Sequence, residues 1–215
     1  MLFYYIVFQY HSMNSVRERE SNLPGAVDAV RIPLLAALFA ALTAVGAFLR
    51  IPISPVPFTL QTLFVFLSAG LLGPTGGFLS QCLYLAVGFL GIPVFSGGGG
   101  IGYIFYPGFG YLLGFPVAAL IMGILSKRFV HKKKHNTDGK SLIVKFVWIY
   151  SIGTIIIYIF GISFLFFYAE NIAGEAFSIL WVGFIIFIPT DIAKIAAGAW
   201  LTVRLRRLGI VSSMY

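Results

Sequence analysis

Charge is what this chain has least of. Only 10% of its 215 residues are Asp, Glu, Lys or Arg, against 59% hydrophobic, whereas an ordinary soluble domain carries roughly a quarter charged residues. That balance excludes a water-soluble globular domain and makes lipid the solvent. Cysteine is equally scarce. Cys82 stands alone, so no disulfide can form within the chain, and the residue reads as a buried apolar thiol. Histidine offers no more: His131 and His135 flank Lys132, Lys133 and Lys134 and read as part of a solvated basic run, so no metal site is expected. No G-x-x-x-x-G-K-[ST] run occurs, which excludes a phosphate loop of that type. The apolar stretch 2–10 is too short to cross a bilayer. It lacks both a preceding basic region and a small-residue cleavage site, so it does not read as a signal peptide, and Met13 is an alternative start to Met1.

Long apolar runs are what the chain does have. A crossing takes about 20 residues of helix for a hydrocarbon core of roughly 30 Å, so 215 residues accommodate about six crossings. Apolar spans are expected near 32–49, 58–72, 77–92, 108–125, 142–167 and 176–205, all helical, because lipid offers no partner to unpaired backbone groups. The predicted fold is therefore all-α: a polytopic membrane protein with six transmembrane helices. A cytoplasmic lead-in over 1–30, a membrane domain over 31–207 and a cytoplasmic tail over 208–215 complete the expected organisation.

The net charge of +8 does not point to nucleic acid, because of where the basic residues fall. Apart from Arg50 and Lys194, the 15 lysines and arginines precede the first span, lie in or flank the loop between the fourth and fifth, or cluster at the end of the last. This asymmetry is what the positive-inside rule predicts for both termini in the cytoplasm, and it requires an even number of spans.

The last apolar stretch, 176–205, would be about 45 Å long as one helix at 1.5 Å per residue, more than a membrane needs. A break is expected at Pro189, which would then occupy the first turn of the sixth helix, where its missing N–H costs nothing. Residues 176–188 would form a partly embedded outer segment. Asp191 and Lys194 follow, three apart on one helix face and about a third of the way in from the outer surface. Charges at that depth cost several kcal/mol unless paired or turned to a polar cavity. They are either an ion pair that fixes helix packing or a ligand site.

Three further features stand out. Ala36, Ala40 and Ala44 lie on one stripe of the first span, with Ala37 and Ala41 beside it; small residues four apart admit another helix, either of this subunit or of a partner. Three prolines over 50–62 restrict the chain to a stiff extended outer loop that begins with Arg50. The run Gly97, Gly98, Gly99 and Gly100, followed by Tyr103 and then Tyr111, forfeits packing and backbone entropy. Such a run fits a backbone pressed against a ligand better than a bland connector.

As a carboxylate Asp191 only accepts hydrogen bonds, and as an ammonium Lys194 only donates. Side by side they match a cyclic urea, carboxylate to N–H and ammonium to C=O, and the helix start adds free backbone N–H groups. The 22 Phe and 11 Tyr suit an aromatic pocket around such a polar head.

The run 50–62 with Leu71-Leu72-Gly73-Pro74, the stretch from Gly91 to Gly100, Gly110-Tyr111-Leu112-Leu113-Gly114-Phe115 and Pro189-x-Asp191-x-x-Lys194 together resemble BioY. These are the biotin-specific S components of energy-coupling-factor (ECF) transporters. The resemblance covers roughly 32–207 in four ordered motifs. It implies six helices in the bacterial cytoplasmic membrane with both termini on the cytoplasmic side, and a biotin site open to the outside in which Asp191 and Lys194 bind the ureido ring. It further implies that the Gly97–Gly102 loop lines the pocket, that the loop 50–62 closes over it, and that the alanine-striped first helix docks onto a separate transmembrane subunit driven by two ATPases. Biotin would be cargo; no cofactor is implied. Where the family usually reads G-P-T-G-G-Y, this chain reads Tyr106-Pro107-Gly108-Phe109-Gly110-Tyr111, so the resemblance does not carry the contacts to the valerate tail. Arg50 is a candidate for the carboxylate on charge. An S component for another vitamin, a solitary homo-oligomeric carrier, and an intramembrane enzyme using Asp191 are the competing readings. The last lacks a second acid, a nucleophile with its base, or metal ligands in the membrane.

Overall fold

The computed structural model describes residues 30–52, 56–130, 139–168 and 187–208. Helix α1 spans Val30–Phe48, α2 Gln61–Phe89, α3 Phe109–Val130, α4 Gly139–Tyr168 and α5 Ile188–Arg207. Among the described residues, four helices, α1 to α4, are long and apolar enough to cross a membrane. The lead-in before residue 30, the basic loop with His131 and His135, residues 176–186 of the outer segment expected over 176–188, and the tail after Leu208 lie outside the described residues.

Helix α2 is not one rod. Gly73 breaks it at φ 72°, ψ −164°, a conformation open essentially to glycine alone. Pro74 then starts the second arm, where a missing N–H is harmless. The two arms, 61–72 and 74–89, fold back on each other. Gln61 Nε2 donates to Tyr84 Oη at 2.6 Å, Gln81 Nε2 donates to Ser68 Oγ at 3.3 Å, and a methyl on Gly77 would lie 2.9 Å from the Ala69 Cα. These pairings run in opposite directions from Gly73, so the element is an antiparallel helical hairpin. Helix α3 packs directly on its turn: a methyl on Gly123 would lie 2.5 Å from the Pro74 backbone.

The second span was expected to begin at Phe58. Instead Phe58–Thr59 forms β2 of a small antiparallel ribbon with β1, Arg50–Ile51. Pro57, with no N–H to donate and a fixed φ, favours extended chain there, and the helix starts only at Gln61. Helix α5 begins at Ile188 with Pro189 in its first turn, the break expected within 176–205.

Contacts sort the helices into two ends. At one end Arg206 of α5 donates through Nε (2.9 Å) and Nη2 (2.5 Å) to the Gly70 carbonyl near the hairpin turn, and through Nη2 to Ser126 Oγ of α3 (2.8 Å). Its guanidinium lies 5.0 Å from the centre of the Phe146 ring in α4. Lys127, Arg128, Lys140, Lys145, Arg204 and Arg207 belong to this end, in the last turns of α3 and α5 and the first turns of α4. At the opposite end lie the starts of α2, α3 and α5, the end of the second arm of α2, and the loop 90–108. Between the ends runs an apolar core that includes Phe66, Tyr84, Met122, Phe146 and Tyr150. Helix α1 joins through a second cluster, Phe39 with Leu67, Leu71 and Leu72.

Candidate ligand-binding site

Three helices begin around one cavity. It is lined by Gln61 and Thr62 from the first turn of α2, by Gly108, Tyr111 and Leu112 around the start of α3, and by Phe187, Asp191 and Lys194 around the start of α5. Helix N-termini carry free N–H groups and the positive end of the macrodipole, so their meeting point favours an acceptor or anion. Thr154, Ile157 and Tyr158 of α4 form the remaining wall, with Ser96 and Val56 from the loops.

The polar centre is Asp191. Its Oδ1 accepts from Lys194 Nζ at 3.0 Å, and its Oδ2 accepts from Tyr158 Oη at 2.5 Å. Both charged residues are buried. Two carboxylate oxygens offer about four acceptor positions and an ammonium three donors, so the pair holds spare capacity on each side after these bonds. Aromatic rings frame it: Phe187 lies 4.4 Å from Phe58 and 6.5 Å from Tyr111, centre to centre. Tyr111 meets Tyr158 edge-on at 6.1 Å. The cavity between them is about 60 Å³, room for a few waters but far less than the roughly 300 Å³ or more of a small-molecule pocket. A ligand of that size enters only if a wall yields.

Asp191, Lys194 and Tyr111 are thus brought together, and Tyr158 joins them without having been singled out from sequence. A tyrosine 33 residues upstream in an apolar span carries no signal until the helices are packed.

The other expected residues sit elsewhere. Arg50 is exposed in the ribbon and lines a separate groove of about 620 Å³ that shares only Thr59 and Lys194 with the cavity. Gly97, Gly98, Gly99 and Gly100 form a tight turn beside the cavity without lining it. Phe95 and Gly98 pair their backbones, Gly98 and Gly100 take φ 130° and 89°, and a methyl on Gly99 would lie 2.3 Å from the Ile92 carbonyl oxygen. The turn's conformation requires Gly98 and Gly100, contact with 92–93 requires Gly99, and Gly97 lies against the Tyr106 ring. The turn delivers Ser96 to the cavity, held by a 3.1 Å hydrogen bond with Tyr103. Burial raises the Tyr103 phenol above its usual pKa, so it stays protonated in that bond.

On α1, Ala36 and Ala40 are buried against this subunit and Ala44 is half-buried, whereas Ala37 and Ala41 are exposed. Ala37, Ala40, Ala41 and Ala44 line a groove of about 340 Å³ with Leu83, Tyr84, Val87 and Val94.

Residues 17–210 match the model of the BioY family. This chain belongs to the BioY family. It is 42% identical over 179 residues to the "Probable biotin transporter BioY" of Lysinibacillus sphaericus, covering 81% of this chain and 86% of the relative. Against the "Biotin transporter BioY" of Thermotoga maritima the identity is 38%, covering 81% and 95%. Among solved structures, it resembles the S-component for biotin from an ECF-type ABC transporter, with a TM-score of 0.70 and 26% identity, covering 83% of this chain and 92% of that one. The BioY motifs Leu71-Leu72-Gly73-Pro74 and Pro189-x-Asp191-x-x-Lys194 fall, respectively, on the hairpin turn and on the first turns of α5.

Proposed function

We propose that this chain takes up biotin: it binds the vitamin at the Asp191–Lys194 cavity from outside the bacterial cytoplasmic membrane and delivers it inward as the substrate-specific subunit of an ECF-type transporter. It is a transport component and not an enzyme. One observation carries the reading. A carboxylate and an ammonium 3.0 Å apart, buried among aromatic rings where three helices begin, put side by side the acceptor and the donor that the N–H and C=O groups of a cyclic urea pair with. The biotin transporters and the biotin S-component to which the chain is similar support the same cargo.

Six crossings follow if the hairpin arms of α2 count separately and α5 counts as the last. The basic end then faces the cytoplasm with both termini, over a membrane domain of 31–207 between the lead-in 1–30 and the tail 208–215. The ureido ring meets Asp191 and Lys194 with Tyr111 stacked nearby. The turn Gly97–Gly100 with Tyr103 sets the rim through Ser96, and the loop from Arg50 closes above. No nucleotide motif is present in this sequence, so active import needs a transmembrane partner with two ATPase subunits. The α1 groove with Ala37, Ala41 and the flanking Ala40 and Ala44 is the docking face, with Ala36 anchoring α1 from within. Biotin is cargo and no cofactor takes part.

Equilibrium binding of radiolabelled biotin to the detergent-purified protein tests the cargo. Saturable binding displaced by excess biotin but not by thiamine or riboflavin is expected. Displacement by either of those vitamins, or no binding by folded protein, overturns the assignment.

A further inference from the structure

The cavity walls carry several hydroxyl groups, and four of them are hydrogen-bonded within the protein. Thr59 Oγ1 donates to Gln61 Oε1 at 2.8 Å, Ser96 pairs with Tyr103, Thr154 Oγ1 donates to the Tyr150 carbonyl at 2.9 Å, and Tyr158 donates to Asp191. Thr62 is different. Its Oγ1 is shielded from water and has no hydrogen-bond partner, although the residue lines the cavity.

A shielded hydroxyl with no partner costs the folded protein stability, and nothing local recovers that cost. The other buried orphan among the described residues, Gln81 Oε1, differs in kind. Gln81 sits inside a closed polar cluster, its Nε2 reaching Thr43, Ser68 and Ser80, and it does not line the candidate cavity. Thr62 also stands in the first turn of α2, where the residue at the helix boundary, Leu60, supplies no capping hydrogen bond. The N–H groups of Leu60 and Leu63 at this helix start bond the Gly46 and Leu60 carbonyls, and none of these contacts reaches the Thr62 hydroxyl.

Resting on the proposed function, we infer that Thr62 is a direct ligand contact. Its hydroxyl hydrogen-bonds biotin from the α2 side of the cavity, as a polar anchor separate from the Asp191–Lys194 pair on α5. An orphan in the empty protein becomes satisfied in the loaded one, so binding gains a bond that folding does not use.

The test compares wild type, Thr62→Val and Thr62→Ser, each as the full chain in detergent, by biotin titration and by thermal unfolding with and without biotin. Valine matches threonine in shape but removes the hydroxyl; serine keeps it. The inference predicts that Thr62→Val binds biotin about tenfold more weakly while its unliganded melting temperature is unchanged or higher, and that Thr62→Ser binds within about threefold of wild type. Two results overturn it: biotin affinity in Thr62→Val within twofold of wild type, or an unliganded melting temperature well below wild type, which would assign the hydroxyl a structural partner. Wild-type protein that fails to bind biotin overturns the proposed function itself, an outcome separable from either variant result.

Discussion

At the scale of single residues, the site is a short chain of hydrogen bonds: Tyr158 to Asp191 to Lys194. The two charges were legible in the sequence because ionisable groups inside an apolar span are costly and their spacing of three places them on one face. Tyr158 was not, since one tyrosine among 11 in an apolar helix looks like packing until α4 is laid against α5. It now has a testable role. Tyr158→Phe removes a donor that orients the carboxylate, and a hydrogen bond to a charged group contributes about 1.5–3 kcal/mol. The variant should fold, and its biotin affinity should fall roughly tenfold in a titration. Arg50 was singled out by charge and not by position. Charge alone made it a candidate for a carboxylate; the structure places it in the ribbon, along the neighbouring groove, while three helix N-termini surround the cavity itself.

At the scale of elements, two breaks position everything else. The Gly73-Pro74 turn was legible as a gap between two apolar spans, but its sharpness was not, because hydropathy does not report φ and ψ. Gly73→Ala forces a side chain into a backbone region that L-residues avoid, at a cost of about 1–3 kcal/mol. The expected outcome is a clear drop in the melting temperature in detergent, whether or not biotin is present. Arg206 closes the same end by donating to the Gly70 carbonyl and to Ser126. Arg206→Met leaves both acceptors short of a buried donor and should destabilise the fold by a similar amount in the same assay. The start of α2 was misplaced by three residues for a physical reason: Val56-Pro57-Phe58-Thr59 is an apolar run, and a short apolar run reads alike as strand or helix. The glycine turn shows how one sequence signal can have two causes. Four glycines flagged a backbone under demand, and the structure traces that demand to the turn's positive φ values and its contact with the Ile92 carbonyl.

At the scale of the whole molecule, composition announced a membrane protein, and the placing of the basic residues led to an expected orientation, well before any motif. The packing keeps that asymmetry: Lys127, Arg128, Lys140, Arg204 and Arg207 gather at the end where the hairpin turns, and the candidate cavity lies at the other. If this is the cytoplasmic end, single cysteines placed at Lys140 and at Leu90, in a background with Cys82→Ser, should label from opposite sides of the membrane. A membrane-impermeant thiol reagent added to intact cells should reach position 90 and leave position 140 unmodified; the reverse pattern would invert the topology.

The measurement that bears most directly on the central claim is calorimetric titration of biotin into wild type and Asp191→Asn, side by side. The amide keeps the size of the carboxylate but replaces one acceptor oxygen with a donor, so it mismatches the urea N–H groups while leaving the apolar frame intact. The account predicts saturable, stoichiometric binding by wild type and a loss of roughly a hundredfold in the variant, with its melting temperature in detergent little changed. Equal affinity in the two proteins would contradict it and remove Asp191 from the site.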